Sequence, residues 1–116
     1  MDIRGKVAIV TGGASGIGAG LAKRFAAEGA RGVVVADVNL ERAQGVAGGI
    51  GAVAVRCDVS READIRALVA TTRERFGQVD IFMSNAGILI LLIPRLLNYI
   101  VAIYLIVIGA VGLFGR

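Results

Sequence analysis

The sequence contains no histidine, no tryptophan and a single cysteine, Cys57, in 116 residues. One cysteine excludes a disulfide bond within the chain. Without histidine, and with only one thiol, the sequence has no plausible ligand set for zinc. We therefore expect no zinc site, and we interpret Cys57 as a small buried side chain.

A strong excess of charge is also missing. The net charge is +4, and two of the four extra positive charges are Arg95 and Arg116, late in the chain. The other basic residues are spread along predicted helices and form no block. This distribution favours solvated helix faces over a nucleic-acid surface.

We expect no signal peptide before the first predicted strand. The stretch from Met1 to Gly5 is short and mixed in charge, and Lys6 leads directly into an apolar run. We therefore expect the N-terminal part to fold in a reducing, cytoplasmic compartment.

The residues before Gly87 alternate between short β-branched runs and helical patterns. The predicted strands are 6–11, 33–36, 52–56 and 79–83, and the predicted helices are 16–28, 40–47 and 61–76. Ser60 is predicted to cap the third helix and Gly77 to end it. The order βαβαβαβ predicts an α/β fold, a partial Rossmann-like doubly wound parallel sheet over residues 1–88.

A glycine-rich segment, TGGASGIG from Thr11 to Gly18, joins the first strand to the first helix. Glycines allow a tight turn and a close approach of a phosphate to the backbone, and a helix N-terminus offers unpaired N–H groups. An acid, Asp37, follows about 20 residues later at the end of the second strand. This context predicts a dinucleotide site.

These residues closely resemble the short-chain dehydrogenase/reductase family. The matching motifs are TGGASGIG, Asp37, the pair Asp58-Val59 after the third strand, and Asn85-Ala86-Gly87 after the fourth. The resemblance covers residues 6 to about 88, the first part of such an enzyme. It implies an oxidoreductase-type fold that binds NAD.

The resemblance also assigns roles to individual residues. Gly12, Gly16 and Gly18 would cradle the pyrophosphate, lined by Ser15 and Ile17. Asp37 would accept hydrogen bonds from the adenosine ribose and repel a 2′-phosphate, so NAD is favoured over NADP. Asp58 and Val59 would flank the adenine. Asn85 would tie the fourth strand to its neighbours, and Ala86 and Gly87 would let the cofactor lie close.

Simpler roles exist for two of these acids. Asp37 or Asn39 would cap the second helix, and Asp58 would form a turn before the third. The family's chemistry uses a serine and a tyrosine followed four residues later by a lysine. Neither Tyr99 nor Tyr104 has that lysine, so we predict no catalytic residues and little or no turnover. The fourth strand is predicted to lack a neighbour and to leave an unprotected edge.

An apolar run of 20 uncharged residues, 96–115, lies between Arg95 and Arg116. As a helix it would span roughly 30 Å, the thickness of a bilayer core. The alternative is a buried core element, but a four-stranded domain has little room for a helix that is apolar on every face. We predict a transmembrane helix, with the first domain on the cytoplasmic side of the membrane.

Residues 88–116 also resemble small bacterial hydrophobic proteins of unknown function. Two further hypotheses follow from this second resemblance. In one, the chain is a small membrane-anchored binding or assembly protein whose glycine segment is a relic. In the other, two unrelated reading frames have been joined at Ala86-Gly87-Ile88 by a gene fusion or an assembly error.

Overall fold

A computed structural model describes residues 2–12, 16–84 and 89–92 of the chain. Strands and helices alternate along most of this part. In chain order they are β1 (Val7–Thr11), α1 (Gly16–Ala27), β2 (Gly32–Asp37), α2 (Leu40–Ile50), β3 (Val53–Arg56), α3 (Glu62–Phe76), β4 (Ile81–Ser84) and β5 (Leu89–Leu92). The predicted order βαβαβαβ is confirmed through β4.

The strands form one sheet in the order β3-β2-β1-β4-β5. The first four are mutually parallel, as predicted. The chain moves outward from β1 to β3 and then returns to place β4 on the other side of β1. This reversal of direction is the feature that creates a binding crevice in doubly wound sheets.

The prediction of an unprotected edge at β4 is wrong. Strand β5 pairs with it in the antiparallel direction, with Ile81 opposite Leu92 and Ser84 opposite Leu89. Backbone N–H and C=O groups along β4 need partners, and a nearby segment satisfies them by returning antiparallel after a short connection. The sheet therefore continues past Gly87.

Helices cover both faces of the sheet, as the doubly wound prediction requires. Helices α1 and α2 pack on the face that carries Ala8, Val10 and Val35. Helix α3 packs on the opposite face, where it covers Ile9 and Phe82. Side chains alternate between faces along a strand, so each buried strand contributes to both layers of the core.

The start of α3 differs from the prediction. Ser60 is not the cap; the capping position is Arg61, whose side chain makes no capping hydrogen bond. The Ser60 hydroxyl instead donates to Asp58 Oδ1 at 2.6 Å. The end is as predicted, because Gly77 takes a left-handed conformation with φ of 77°.

Asp80 fixes β4 against β1 at the amino-terminal end of the sheet. Its Oδ2 accepts from the backbone N–H of Val7 at 2.9 Å, and from Gln78 Nε2 at 2.6 Å. Its own N–H donates to the carbonyl of Val7 at 3.0 Å. These bonds set the register of the two strands. In that register the carboxyl end of β1, Thr11, lies beside the carboxyl end of β4, Ser84.

We expect Gly32→Ala to destabilise the domain. A methyl group at Gly32 would lie 2.6 Å from the nearest ring carbon of Phe76, which must then shift. The overpacking is expected to lower the free energy of unfolding by about 1–3 kcal/mol, measured by urea denaturation. The control is Gly45→Ala within α2, where the methyl group meets no atom within 4 Å. That variant is expected to gain about 0.5–1 kcal/mol, and equal stabilities for the two variants would contradict the prediction.

The predicted transmembrane helix, 96–115, lies outside the described residues and stays a prediction. Across 2–12, 16–84 and 89–92, the structure has no helix that is both long enough and apolar enough to cross a bilayer.

Candidate functional site

The predicted site residues that the structure describes gather at the carboxyl-terminal edge of the sheet. Thr11 at the end of β1 pairs with Ala36 on one side and Ser84 on the other. Asp37 at the end of β2 pairs with Arg56 at the end of β3. We call this region the carboxyl-terminal edge. It includes the carboxyl ends of β1 and β4, between which the strand order reverses, the place where doubly wound sheets bind their ligands.

The glycines around the β1–α1 connection have backbone conformations that other residues rarely adopt. Gly12, directly after β1, has φ of 64°, and Gly16, the first residue of α1, has φ of 44°. Gly18 lies in the first turn of α1 and is buried. The first N–H groups of a helix lack intrahelical partners, so the start of α1 can bind an anion.

Thr11 is a site-forming residue that the sequence did not single out for a role. Its buried hydroxyl donates to the carbonyl of Met83 at 3.2 Å. The bond joins the end of β1 to the end of β4, directly before the glycine segment. In the sequence, the feature that could have indicated this role is a threonine between an apolar strand and a pair of glycines.

The two candidates for capping α2 have separate roles. Asn39 is the cap, because its side chain accepts from the backbone N–H of Arg42 at 3.1 Å. Asp37 shapes the preceding turn by accepting from the backbone N–H of Asn39 at 3.0 Å. Asp37 therefore lies half-buried at the end of β2, beside the connection that begins at Gly12.

Asp58 forms the turn that precedes α3. Its Oδ1 accepts from the Ser60 hydroxyl at 2.6 Å and from the Ser60 N–H at 3.0 Å. These bonds, the side-chain one first, hold the pKa of Asp58 below its usual value. The neighbouring Val59 is half-buried against the core beneath α3. The structure shows that Asp58 forms the turn. The adenine role of Asp58 and Val59 stays a prediction.

Exposed apolar side chains border this edge. Ile17, in the first turn of α1, is 57% exposed, and Val38, next to Asp37, is 58% exposed. Leu40, which starts α2, is 38% exposed. The sequence analysis assigned no site role to Val38 or Leu40, although both lie within three residues of Asp37. Apolar surface beside an anion site is the combination that a ligand with rings and phosphates requires.

Cys57 lies away from the exposed surface of this edge. Its side chain is buried, as predicted, and burial followed by the nearby charges of Asp64 and Asp58 raises its thiol pKa to about 12. Such a thiol is not a nucleophile near neutral pH. Within the described part of the chain, no three His, Cys, Asp or Glu side chains are grouped to hold a metal ion.

Four predicted site residues cannot be placed: Ser15, Asn85, Ala86 and Gly87 lie outside the described residues. The others are brought to one edge by three separate strand ends. Gly12, Gly16, Ile17 and Gly18 lie around the end of β1 and the start of α1. Asp37 ends β2, and Asp58 and Val59 follow β3.

Comparison with curated proteins yields relatives that are much longer than this chain. An uncharacterized oxidoreductase of Mycobacterium bovis is 47% identical over 90 residues, which are 74% of this chain and 36% of that protein. Tropinone reductase-like 1 of Erythroxylum coca is 48% identical over 89 residues, 75% of this chain and 32% of the relative. The chain thus spans about a third of the length of the curated relatives it matches.

Solved structures share the fold at similar coverage. A hydroxysteroid dehydrogenase from Escherichia coli superposes with a TM-score of 0.70 and 41% identity, over 74% of this chain and 38% of that one. A 3-ketoacyl-(acyl-carrier-protein) reductase from Brucella melitensis, complexed with NADH, superposes with a TM-score of 0.67 and 49% identity. The match covers 70% of this chain and 34% of that one.

Two family models match the sequence and overlap. Residues 85–116 match a family described as a protein of unknown function, DUF3096, in agreement with the second resemblance. Residues 6–97, most of the chain, match the family described as short chain dehydrogenase. Together with the relatives and the shared fold, this match shows that the chain belongs to the short-chain dehydrogenase family.

Proposed function

We propose that the chain binds NAD at the carboxyl-terminal edge of its sheet. The observation that carries the proposal is the pair of left-handed glycines, Gly12 and Gly16, between buried β1 and α1, with Asp37 at the end of the adjacent strand. The structurally similar reductase from Brucella melitensis was solved as a complex with NADH, which supports a nicotinamide dinucleotide as the ligand.

The parts of the dinucleotide match the parts of this edge. The pyrophosphate would lie at the N-terminus of α1, where helix N–H groups and the helix dipole favour negative charge. The adenosine ribose would donate its hydroxyl hydrogens to Asp37, at the end of β2. Ile17 and Val38 would give the ligand apolar contacts, since both side chains are more than half exposed at this edge.

The charge of Asp37 favours NAD over NADP. A 2′-phosphate on the adenosine ribose would approach the carboxylate that otherwise accepts the 2′-hydroxyl. Two like charges 4 Å apart repel by about 4 kcal/mol where the effective dielectric constant is near 20. The position of Asp37, at the end of β2 and beside Gly12, supports this proposed preference.

Titration with NADH tests the proposal directly. The enhancement of NADH fluorescence on binding can be followed directly, because the reduced nicotinamide is excited at wavelengths that protein side chains do not absorb. We expect the full chain, purified in a mild detergent, to bind NADH more tightly than NADPH. Asp37→Ala is expected to weaken NADH binding at least tenfold, because hydrogen bonds to a charged group contribute about 1.5–3 kcal/mol.

The matched control is Glu41→Ala, an exposed carboxylate in the first turn of α2. It removes the same charge close to the same edge without touching the end of β2, and we expect its NADH affinity to stay within about twofold of the unchanged chain. Absence of NADH binding by a chain with its native circular dichroism would refute the proposal, as would equal affinities for the two variants.

We further propose that this chain binds the dinucleotide without turning over a substrate by itself. Relatives include oxidoreductases, but the chain matches only about a third of their length. Within its 116 residues, lysine occurs only at Lys6 and Lys23, so no tyrosine precedes a lysine by four residues. The proton donor and the nicotinamide-ribose contact of the family's chemistry then have no counterpart in this sequence.

A second candidate function is a membrane-anchored binding or assembly protein. The observation that favours it is the match of residues 85–116 to a second family, one of unknown function, across the apolar run. Under this hypothesis the apolar run 96–115 spans the membrane and the α/β domain lies in the cytoplasm. Because the glycine segment is a relic under this hypothesis, the NADH titration distinguishes the two candidates.

A further inference from the structure

A backbone hydrogen bond joins the two acids that are predicted to hold the adenosine half of the dinucleotide. The N–H of Cys57, directly after β3, donates to the carbonyl of Asp37 at 3.0 Å. Cys57 is buried and directly precedes Asp58, so Asp58 starts from a fixed point at the end of the sheet. Any change in the conformation of the residues after Cys57 therefore moves Asp58 relative to Asp37.

Residues 58–61 form a tight turn between β3 and α3. The N–H of Arg61 donates to the carbonyl of Asp58 at 3.0 Å and closes the turn. Both hydrogen bonds from Ser60 go to Oδ1 of Asp58. Within residues 2–12, 16–84 and 89–92, the other carboxylate oxygen of Asp58, Oδ2, accepts no hydrogen bond. Oδ2 is therefore the oxygen with which Asp58 can accept a hydrogen bond from a ligand.

Asp64, in the first turn of α3, is bonded to both ends of the 58–61 turn. Its Oδ2 accepts from the backbone N–H of Asp58 at 2.9 Å. Its own backbone N–H donates to the carbonyl of Arg61 at 3.1 Å. The Asp64 side chain is only 24% exposed, so water competes little for the carboxylate. Because hydrogen bonds to an ionised acceptor are among the strong ones, Asp64 holds the turn in one conformation.

The carboxylate of Asp64 stabilises the turn and not the end of the helix. In a capping box, the acid three residues after the capping position accepts from the N–H of the capping residue. Here the capping residue is Arg61, and Asp64 bonds instead to Asp58, three residues further back. The contact of Asp64 with Arg56 is long, at 3.9 Å, and the Arg56 side chain is 60% exposed, so this ion pair contributes little.

We propose that Asp64 is a positioning residue that gives the dinucleotide site its preference for adenine. By accepting from the backbone N–H of Asp58, it keeps the Asp58 carboxylate in a fixed position relative to Asp37. An ionised carboxylate only accepts hydrogen bonds, so it favours the 6-amino group of adenine over the 6-oxo group of hypoxanthine. The inference rests on the proposed binding of NAD, and it adds a residue that determines which base is accepted.

The test compares two fluorescent dinucleotides that differ only in the base, NADH and reduced nicotinamide hypoxanthine dinucleotide. We expect the full chain, in a mild detergent, to bind NADH at least fivefold more tightly than the hypoxanthine analogue. In Asp64→Ala this ratio is expected to fall below twofold, because the affinity for NADH decreases while the affinity for the analogue changes little. Partial unfolding lowers both apparent affinities in the same proportion, so the ratio reports on the position of Asp58 and not on stability.

Two further variants separate the hydrogen bond of Asp64 from its charge. Asp64→Asn removes the charge but keeps an oxygen that can accept from the N–H of Asp58, and we expect it to retain at least a threefold preference for NADH. Glu62→Ala removes the other acid in the first turn of α3, whose carboxylate contacts Arg66 at 2.6 Å. It is expected to leave the preference unchanged. A preference in Asp64→Asn as low as that in Asp64→Ala would contradict the hydrogen bond as the cause.

The results distinguish the role of Asp64 from dinucleotide binding itself. If the unchanged chain binds no NADH, dinucleotide binding is refuted, and the role of Asp64 with it. If the unchanged chain binds NADH without preferring it over the analogue, or if Asp64→Ala keeps the full preference, NAD binding stands and the role of Asp64 is refuted. An equal loss of preference in Asp64→Ala and Glu62→Ala overturns the proposal as well, since it assigns the effect to the charge at the start of α3.

Discussion

Replacing Phe82 with alanine is expected to destabilise the domain more than any other single substitution proposed for this chain. Phe82 is fully buried in β4 and belongs to the core beneath α3, with Ile9 and Leu68. Removing a buried phenylalanine side chain costs about 3–5 kcal/mol, from lost transfer free energy and the cavity that remains. A small domain is stable by only about 5–15 kcal/mol in total.

Thermal unfolding followed by far-ultraviolet circular dichroism measures this loss. At roughly 4–8 °C per kcal/mol for a domain of this size, we expect the Tm of Phe82→Ala to fall by more than about 12 °C. The control is Val38→Ala, which trims a side chain that is 58% exposed. Its stability is expected to stay within about 0.5 kcal/mol of the unchanged chain. A fall in Tm no larger than that of the control would show that Phe82 is not packed in the core beneath α3.

Gly16→Ala is expected to have the largest effect on dinucleotide binding. Gly16 has φ of 44° at the first position of α1, and an added methyl group meets no atom within 4 Å. Space is therefore available, and the cost of the substitution is conformational. An alanine in the left-handed region costs about 1–2 kcal/mol, so the backbone is expected to relax and to withdraw its N–H groups from the pyrophosphate position.

The same substitution four residues later gives the matched control. Gly20 lies on the exposed side of α1 with no atom within 4 Å of an added methyl group and without a positive φ. Gly20→Ala is expected to raise the free energy of unfolding by about 0.5–1 kcal/mol and to leave NADH affinity unchanged. Gly16→Ala is expected to lower NADH affinity at least tenfold in the fluorescence titration. Equal NADH affinities of the two variants would show that binding does not depend on the left-handed conformation of Gly16.

Short-range sequence patterns predicted most of the strands and helices. The buried strands are continuous apolar runs such as VAIVT in β1, and the backbone is left-handed at Gly29, Gly51 and Gly77, where the helices give way to loops. These are short-range effects, so the elements through β4 agree with the predictions to within a few residues. The cap of α3 was wrong because Ser60 has a competing partner in Asp58, at 2.6 Å.

Pairing between distant segments was harder to predict. The residues of β5, Leu89–Leu92, are equally typical of a membrane segment and of a strand, because four consecutive apolar residues carry no periodicity. Their position was decided by the unpaired edge of β4, which β5 covers. The contacts of Asp80 with Val7 join residues 73 apart in sequence, and no local pattern indicates them.

The sequence by itself determined the alternation of strands and helices, the family and the residues of the glycine segment, because each depends on neighbours in the chain. Only the tertiary structure decided which strand ends meet, that Thr11 joins Met83, and that β5 turns the chain back. It also decided that the glycine segment, Asp37 and Asp58, which are far apart in the sequence, share the carboxyl-terminal edge. Parallel strands collect their carboxyl ends on one side of the sheet, so residues that are far apart in the sequence meet at one edge.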